Sequence, residues 1–361
     1  RSTPLYSSAA SDVYKRQLRE VSNEHTDEKN RRTDLRYDVF GMCNALYDIQ
    51  AEVAPEVLTE LDFAKGGMFL IEEEQQRAVV ARIYEHIVNA APGGSGANTM
   101  IGIAMLGGSA CYTGKVGTDE HGTHYVGGLK AKGVGYHLEA GAGESGISVI
   151  LITPDAERTM LTFLGASRTL APNDVHLEAL RSSKYLYVTA YLWDTDNQKE
   201  AVLLAMKEAK AAGVKVALSL SDPFCVHRHK AELLDLVSQH VDLLIGNHEE
   251  AMVLTDTATP KEAILAMEQY CDLAAVTCGA DGSLLREKDV LYEIPTIKIQ
   301  PIDGTGAGDM YAAGLLYGLT HDLPLPLTGR LASYCAAKVV AKLGPRLDNI
   351  DLSDIIRAFA N

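Results

Sequence analysis

The glycine-rich stretch Asp303-Gly304-Thr305-Gly306-Ala307-Gly308-Asp309 joins a turn to a carboxylate. The segment Thr296 to Gln300 before it alternates as a strand, and the segment Met310 to Leu319 after it consists mainly of good helix formers. The turn is therefore predicted to lie at a helix N-terminus, where unpaired backbone N–H groups and the helix dipole favour an anion. Asp309 would be repelled by that anion unless it had a role such as taking a proton from an attacking hydroxyl. The pattern predicts a phosphoryl-transfer site.

Three other interpretations of this turn exist. A dinucleotide site requires G-x-G-x-x-G with an acidic residue about 20 positions later, whereas this turn reads G-x-G-x-G-D. A P-loop requires G-x-x-x-x-G-K-[ST], and its nearest approach, Gly114-Lys115, fails because Ser109 and Val116 occupy the other required positions. The remaining alternative is an ordinary glycine-rich loop that caps a helix.

The composition limits the class of protein and of partner. The 361-residue chain is 47% hydrophobic and 22% charged, which indicates a globular protein of one large domain or two smaller ones. The formal net charge of −15 argues against nucleic acid or an anionic membrane as a partner, because both attract basic patches. The six cysteines form no C-x-x-C pair, so we expect reduced thiols and a cytoplasmic location. We expect no membrane span, because no run approaches the required length of about 20 apolar residues, and no secretory signal, because no charged start is followed by a hydrophobic core.

Residues 1–32 differ from the rest of the chain. They are rich in Ser, Asn, Glu, Lys and Arg and lack helical or strand periodicity, so we expect this segment to be disordered or extraneous to the fold. Arg1 to Gln17 in particular is expected to be a foreign or sequence-assembly remnant, and the alternative is a natural disordered tail. The folded domain is then expected to span residues 33–361.

From Tyr37 onward, short apolar runs alternate with helical stretches. Strands that alternate with helices predict an α/β fold with a mostly parallel central sheet covered on both faces. The predicted strands are Asp38 to Gly41, Ser109 to Val116, Tyr185 to Val188, Val214 to Leu220, Val241 to Gly246 and Leu273 to Cys278. The predicted helices are Glu72 to Val88, Gly96 to Leu106, Glu120 to Lys132, Asp196 to Ala212, His229 to Gln239, Glu249 to Leu254 and Lys261 to Cys271.

Two regions, about 46–71 and 146–163, break this alternation. Leu46 to Val53 with Gly67 to Ile71, and Gly146 to Thr153 with Glu157 to Phe163, are predicted to be extra strands without helices of their own. We expect them to form a small β-sheet lid that excludes water from the reaction. The alternative is that they extend the edge of the main sheet.

Four ordered motifs resemble those of the PfkB (ribokinase-like) carbohydrate kinases. The resemblance covers residues 37 to about 345 and implies a ribokinase-like three-layer fold, with helices flanking the central sheet and a small lid. Gly93 to Asn98, followed by Leu106 to Gly108 and Gly114 to Gly122, resembles the family's N-terminal motif, and Asp303 to Asp309 resembles its C-terminal motif, Asp-Thr-x-Gly-Ala-Gly-Asp. Asn247-His248-Glu249-Glu250 matches Asn-x-x-Glu, and Thr277 to Gly282 matches the nucleotide loop Thr-x-Gly-x-x-Gly.

The segment Gly41 to Asp48 is similar to the Gly-x-x-Asn-x-Leu-x-Asp of adenosine kinases and their bacterial relatives. Asp48 can accept hydrogen bonds from two hydroxyls, while Asn44 and Asn98 can both donate and accept, which suits a vicinal diol such as that of ribose. The glycine-rich wall beside them begins with Gly93 and Gly94. As structural alternatives, Asn44 could hold a turn and Asn98 could cap a helix.

The resemblance also implies a role for each matching residue. Asp309 would be the base that deprotonates the substrate's primary hydroxyl as it attacks the γ-phosphoryl of ATP, and Gly306, Ala307 and Gly308 would form the anion hole. Asn247 and Glu250 would position Mg²⁺ through bound waters. The ATP would be bound by Thr277, Gly279 and Gly282, with the apolar segment Leu331 to Gly344 beside its adenine.

Position 304 departs from the family pattern, because Gly stands where Thr is usual. We expect reduced pre-organisation of the turn and no loss of chemistry. Members of the family often bind a monovalent cation such as K⁺ behind this turn, so K⁺ is a further expected ligand whose site Gly304 could alter. Tyr191 matches an aromatic residue of adenosine kinases that would stack on a purine, and the alternative is that Tyr191 and Trp193 pack under the lid. Arg158 could reach a phosphate from the lid or be solvated.

Two classes of function remain from the sequence. The first is an ATP-dependent kinase that phosphorylates a nucleoside, with adenosine preferred, or a free sugar such as ribose or fructose. The second is a catalytically inactive regulator that binds a nucleoside or nucleotide. Asp309 favours the kinase, because a pure binder would not need an uncompensated carboxylate facing the phosphates. Both a monomer and a homodimer are compatible with the lid.

Overall fold

The predicted alternation of strands and helices forms a nine-stranded sheet in the computed structural model, which describes residues 36–155, 157–342 and 344–347. The predictions for residues 1–32 and for the C-terminal end of the domain lie outside these residues. The strands are β1 (Tyr37–Met42), β2 (Leu46–Glu52), β3 (Met68–Leu70), β4 (Ile87–Gly93), β5 (Ala110–Val116), β6 (Gly135–Ala140), β7 (Gly146–Ile152), β8 (Arg158–Phe163), β9 (Ser183–Thr189), β10 (Lys215–Ser219), β11 (Leu243–Asn247), β12 (Leu273–Thr277), β13 (Ser283–Glu287) and β14 (Val290–Ile294).

The helices lie between these strands. They are α1 (Pro55–Glu60), α2 (Glu73–Ile83), α3 (Ser95–Met105), α4 (Glu120–Ala131), α5 (Leu177–Arg181), α6 (Asp196–Ala212), α7 (Pro223–His240), α8 (His248–Thr255), α9 (Pro260–Ala266), α10 (Ala307–Thr320) and α11 (Leu325–Val340). Short 3₁₀ turns occupy several of the remaining connections.

The large sheet has the strand order β14-β13-β12-β11-β10-β9-β1-β5-β6. The seven neighbouring strands β12, β11, β10, β9, β1, β5 and β6 are parallel, and β13 and β14 add an antiparallel edge. Successive residues of β1 point to opposite faces, so Val39 belongs to the core that includes α3, α10 and α11, and Phe40 belongs to the core that includes α6 and α7. The predicted α/β fold, with helices on both faces of a mostly parallel sheet, is confirmed.

A second, five-stranded sheet has the order β3-β8-β7-β2-β4. It contains all four strands predicted for the lid, and it is a separate sheet, not an extension of the large sheet's edge. It also contains β4, whose first two residues, Ile87 and Val88, were predicted to end a helix over Glu72 to Val88. That helix ends at Ile83, because the following 3₁₀ turn leads into residues that pair with β2 in antiparallel register.

The smaller sheet carries helices, contrary to the prediction. Val79 and Ile83 of α2 and Val57 and Leu58 of α1 join one apolar cluster with strand residues of this sheet. From the sequence, α2 was predicted to belong to the main domain. The spacing of its apolar residues predicts a helix but does not indicate which sheet that helix covers. The lid function of this smaller sheet remains a proposal.

The predicted strand Thr296 to Gln300 is wrong. These residues have no regular secondary structure and line a cavity beside α10. Pro295 follows β14 directly and has no backbone N–H to donate to a neighbouring strand, which accounts for the end of pairing at Ile294.

Candidate active site

The turn at 303–309 leads directly into α10, as predicted. Gly306 is the residue before the helix and has a φ of 75°, in the left-handed region that favours glycine. A Cβ atom at this position would lie 2.4 Å from the carbonyl oxygen of Pro345, so this close approach also requires glycine. The first helical turn therefore presents backbone N–H groups and the positive end of the helix dipole to the space in front of it.

Asp309 lies in that first turn and is held by two side chains of α3. Ser95 Oγ donates to its Oδ1 at 2.5 Å, and Asn98 Nδ2 donates to its Oδ2 at 2.9 Å. Ser95 and Asn98 are three residues apart and so share a face of the helix. Burial raises the pKa of Asp309 above its usual value, while these two bonds and the charge of Arg346 act to lower it. The carboxylate is thus oriented by its two partners, faces a cavity and is able to accept a proton.

A cavity of about 460 Å³ lies in front of Asp309. Its floor comes from the large sheet and the turn, and its roof comes from the smaller sheet, which contributes apolar side chains. The predicted substrate residues that line it are Asn44, Asp48, Gly94, Asn98 and Tyr191, and the apolar roof residues are Met68, Leu70, Ile150 and Met160.

Asp48 and Gly93 are in close contact behind this cavity. Asp48 is buried, and a Cβ atom on Gly93 would lie 2.0 Å from its Cγ atom, so only glycine fits against the carboxylate. Burial raises the pKa of Asp48 to about 7, against the lowering effect of Arg346. Unlike its neighbour Gly94, Gly93 does not line the cavity, and it supports the side chain of Asp48.

Asn44 is oriented by two partners. Its Nδ2 donates to the carbonyl oxygen of Tyr191 at 3.3 Å, and its Oδ1 accepts from Gln198 Nε2 at 2.7 Å. The Tyr191 hydroxyl donates to the carbonyl oxygen of Ser221 at 3.2 Å, which places the ring at the cavity wall. Trp193 is not at the cavity, because its ring is buried in the core and its Nε1 donates to Glu232.

A second cavity of about 560 Å³ lies on the other side of the turn. It is lined by all three residues predicted to bind the nucleotide, Thr277, Gly279 and Gly282. Part of the predicted adenine wall also lines it, namely Ser333, Ala336, Ala337 and Val340. Ala307 and Gly308 line both cavities. The two spaces therefore meet at the first turn of α10, beside Asp309.

Asn247 and Glu250 form a capping box at the start of α8. Glu250 accepts from the backbone N–H of Asn247 at 2.9 Å and from its side-chain amide at 2.6 Å, and Asn247 Oδ1 accepts from the backbone N–H of Glu250. Both residues line the first cavity, and burial raises the pKa of Glu250 to about 7. The carboxylate of Glu250 and the amide of Asn247 already hydrogen-bond to each other. They therefore fit a Mg²⁺ ion that they would contact through its bound waters. The described residues contain no cluster of three or more His, Cys, Asp or Glu side chains that could hold a metal ion directly.

Arg158 lines the first cavity and is largely buried, so the alternative of a solvated side chain is wrong, and its reach to a phosphate stays a prediction. Its guanidinium forms an ion pair with Asp303, the first residue of the glycine-rich turn, and both side chains are largely buried. Asp303 also accepts from the backbone N–H groups of Thr305 and Gly344. The ion pair between Arg158 of β8 and Asp303 therefore connects the smaller sheet to the glycine-rich turn.

Three residues at the site were not predicted from the sequence. Ser95 could have been found, because it precedes Asn98 by three residues on a helix whose face was already assigned to the site. Gln198 and Arg346, which bond Asn44 and Asn98, had no such signal because they are more than 150 residues away in the chain.

All six cysteines are free thiols, and across 36–155, 157–342 and 344–347 we find no helix with the length and apolar character of a bilayer span.

Comparison with known proteins adds independent evidence. The family model described as pfkB family carbohydrate kinase matches residues 68–351. A probable sugar kinase from Rhizobium etli is 35% identical, covers 90% of this chain and 98% of its own, and superposes with a TM-score of 0.84. An adenosine kinase from Sinorhizobium meliloti is 36% identical, with coverages of 89% and 98% and a TM-score of 0.82. A probable fructokinase of Arabidopsis thaliana is 29% identical over 271 residues, which are 70% of this chain and 83% of its own.

Proposed function

The chain belongs to the pfkB family of carbohydrate kinases, and on this basis we propose that it transfers the γ-phosphoryl group of ATP to the 5′-hydroxyl of a nucleoside, with adenosine the preferred substrate and AMP the product. The observation that carries the proposal is the position of Asp309, at the helix N-terminus where the two cavities meet. An alcohol in the first cavity and a triphosphate in the second would bring the reacting groups together there.

In the proposed mechanism, Asp309 takes the proton of the attacking hydroxyl. Ser95 and Asn98 hold the carboxylate in place before the reaction. The backbone N–H groups of Gly306, Ala307 and Gly308 would stabilise negative charge on the transferring phosphoryl group. Without a ligand, the N–H of Ala307 donates to the carbonyl oxygen of Gly304 at 3.3 Å. Asn247 and Glu250 would hold Mg²⁺ through waters, and the ion when bound offsets phosphate charge.

The preference for a nucleoside rests on two kinds of side chain in the first cavity. Asp48, Asn44 and Asn98 offer the polar groups that a ribose diol needs. The ring of Tyr191 and the apolar side chains that the smaller sheet contributes to the cavity suit a flat base. A free hexose that reached these apolar side chains would leave hydroxyls there without hydrogen-bond partners, at a cost in binding.

A free-sugar kinase is the second candidate, supported by the similarity to a probable fructokinase and a probable sugar kinase. The two candidates are separated by measuring ADP release with adenosine, inosine, guanosine, ribose and fructose at equal concentrations. We expect the highest kcat/KM with adenosine. A clear preference for fructose or ribose would contradict the nucleoside assignment and leave the family assignment intact.

A further inference from the structure

We propose that Arg346 is a positioning residue for the reaction, because its guanidinium fixes the side-chain amide of Asn98 in the orientation that donates to Asp309. The proposal rests on the proposed function, in which Asp309 is the base. Arg346 follows α11 and reaches the site from outside the cavity, so it does not touch the substrate.

The contacts form a chain of three side chains. Arg346 Nε donates to Asn98 Oδ1 at 3.0 Å, and Asn98 Nδ2 donates to Asp309 Oδ2 at 2.9 Å. An asparagine amide presents an acceptor at one end and donors at the other, whereas a guanidinium can only donate. The atom that faces Arg346 must therefore be the oxygen, and the NH₂ group must face Asp309.

This orientation selects the protonation state that a base needs. A donor aimed at a carboxylate stabilises its ionised form, whereas an amide oxygen in the same place would stabilise the protonated form. Arg346 thus favours the proton-accepting state of Asp309 through Asn98, without a direct hydrogen bond to the carboxylate.

Arg346 also acts through its charge and a second hydrogen bond. It is partly buried, and its positive charge lowers the pKa of both Asp309 and Asp48 against the effect of burial. Cys43, Asp48, Tyr187 and Tyr191 also interact electrostatically with Asp309, and none of them carries a positive charge. Arg346 supplies a positive charge that lowers the pKa of Asp309.

The second hydrogen bond of Arg346 supports the neighbouring diol site. Another guanidinium nitrogen donates to the carbonyl oxygen of Pro92, and Tyr125 donates its hydroxyl to the carbonyl oxygen of Gly93 at 3.0 Å. These bonds hold the backbone on which the Asp48 carboxylate rests. One arginine therefore connects the base with the substrate-binding carboxylate.

The test compares Arg346→Gln, which keeps a donor and removes the charge, with Arg346→Lys, which keeps the charge. The control is Arg286→Lys, because Arg286 is buried and donates to the backbone carbonyls of Ile264, Cys271 and Lys288, away from the site. For each variant, kcat/KM is measured against pH with the best alcohol substrate of the wild type, together with the dissociation constant of ATP and the Tm.

We expect the acid limb of kcat/KM in Arg346→Gln to move to higher pH by about one unit, because the carboxylates lose the cation that favours their ionised form. In Arg346→Lys the limb should stay near its wild-type position while kcat still falls, because an ammonium group lacks the rigid fork that spans Asn98 and Pro92. ATP binding should persist in both variants. Arg286→Lys should lower the Tm and leave the pH profile unchanged.

An unchanged acid limb in folded Arg346→Gln would overturn the proposal, as would an equal shift in Arg286→Lys. A readout without turnover separates this proposal from the proposed function. The carboxyl ¹³C resonance of Asp309, assigned with Asp309→Asn, should titrate at higher pH in Arg346→Gln than in the wild type. If the wild type phosphorylates no alcohol, the proposed function fails, and the titration still supports or overturns the role of Arg346.

Discussion

Three carboxylates of the site differ in their hydrogen-bond partners, and these partners support the different roles that we propose for them. Asp309 accepts from two side chains that leave it facing the cavity, whereas Glu250 is engaged by Asn247 in a capping box. Asp48 lies against Gly93, where its nearest neighbour on that side is backbone. Burial raises the pKa of all three, so the local partners and not the direction of the pKa shift distinguish the proposed base from the proposed metal-positioning group and the proposed diol acceptor.

Gly304 is a residue of the turn whose surroundings leave room for a side chain. A Cβ atom at this position would meet no heavy atom within 4 Å, and its φ lies outside the left-handed region, so a larger residue fits. We predict that Gly304→Thr, which restores the usual residue of the family, folds normally and raises the Tm slightly, because it removes conformational freedom from the unfolded chain, an effect of about 0.4–1 kcal/mol.

The same substitution should also raise kcat, by about twofold or more, because a stiffer turn holds the anion-binding N–H groups in place. Calorimetry and steady-state kinetics measure the two effects. Gly306→Thr is the matched control, since its side chain would collide with Pro345, and it should lose activity. A Gly304→Thr variant with lower Tm and lower kcat than wild type would show that the turn needs glycine at this position.

At the scale of elements, the ion pair of Arg158 with Asp303 links the smaller sheet to the start of α10. Both side chains are largely buried, and burial lowers the pKa of Arg158 to about 10. Removing one partner of such a pair leaves a buried charge without compensation. The pair is therefore expected to stabilise the arrangement in which the smaller sheet covers the cavity.

We predict that Arg158→Gln raises the KM for the alcohol substrate and lowers kcat by about tenfold or more, because the roof of the cavity is held less firmly. Lys65→Gln is the matched control, since Lys65 pairs with Asp155 and Glu157 on the exposed surface of the same sheet and such pairs contribute little. Steady-state kinetics on both variants provide the test. Equal effects of the two substitutions would refute a specific role for the buried pair.

The sequence predicted the elements that carry the site better than it predicted their contacts. The motifs placed Asn44, Asn98, Asn247, Thr277 and Asp309 at strand ends and helix starts, because those positions follow from local periodicity. The confirmed family and fold follow from the same motifs.

Contacts between distant segments could not be predicted. The pair of Arg158 with Asp303 and the bond of Arg346 with Asn98 join segments that only the folded sheets bring together. The smaller sheet shows the same limit. A helix over Glu72 to Val88 satisfied the local pattern, but β4 is determined by its pairing with β2, which is a tertiary interaction.

At the scale of the whole molecule, buried carboxylates make stability depend on pH. The pKa of Asp48 is 3.8 when exposed and about 7 in the folded protein. Between these values the folded state binds more protons than the unfolded state, so the free energy of unfolding decreases as pH rises. The stabilising contribution of Asp48 to the free energy of unfolding is fully present below about pH 4 and is lost as the pH rises to about 7.

We predict that the Tm of the wild type falls between pH 5 and pH 8, and that Asp48→Asn reduces this fall and is the more stable protein at pH 8. The difference has an upper bound of about 4 kcal/mol, since one pKa unit corresponds to about 1.4 kcal/mol. Asp155→Asn is the control, because the lowered pKa of Asp155, about 2, confines its effect to more acidic solutions. Parallel curves for wild type and Asp48→Asn would contradict the prediction.

The central claim is that Asp309 serves as the base for phosphoryl transfer at the junction of the two cavities. It is tested most directly by measuring the turnover of purified Asp309→Ala with ATP and adenosine, alongside its affinity for ATP. We predict that kcat falls by about 100-fold or more while ATP binding persists, as expected for the loss of a general base. Near-normal turnover in this variant would contradict the account.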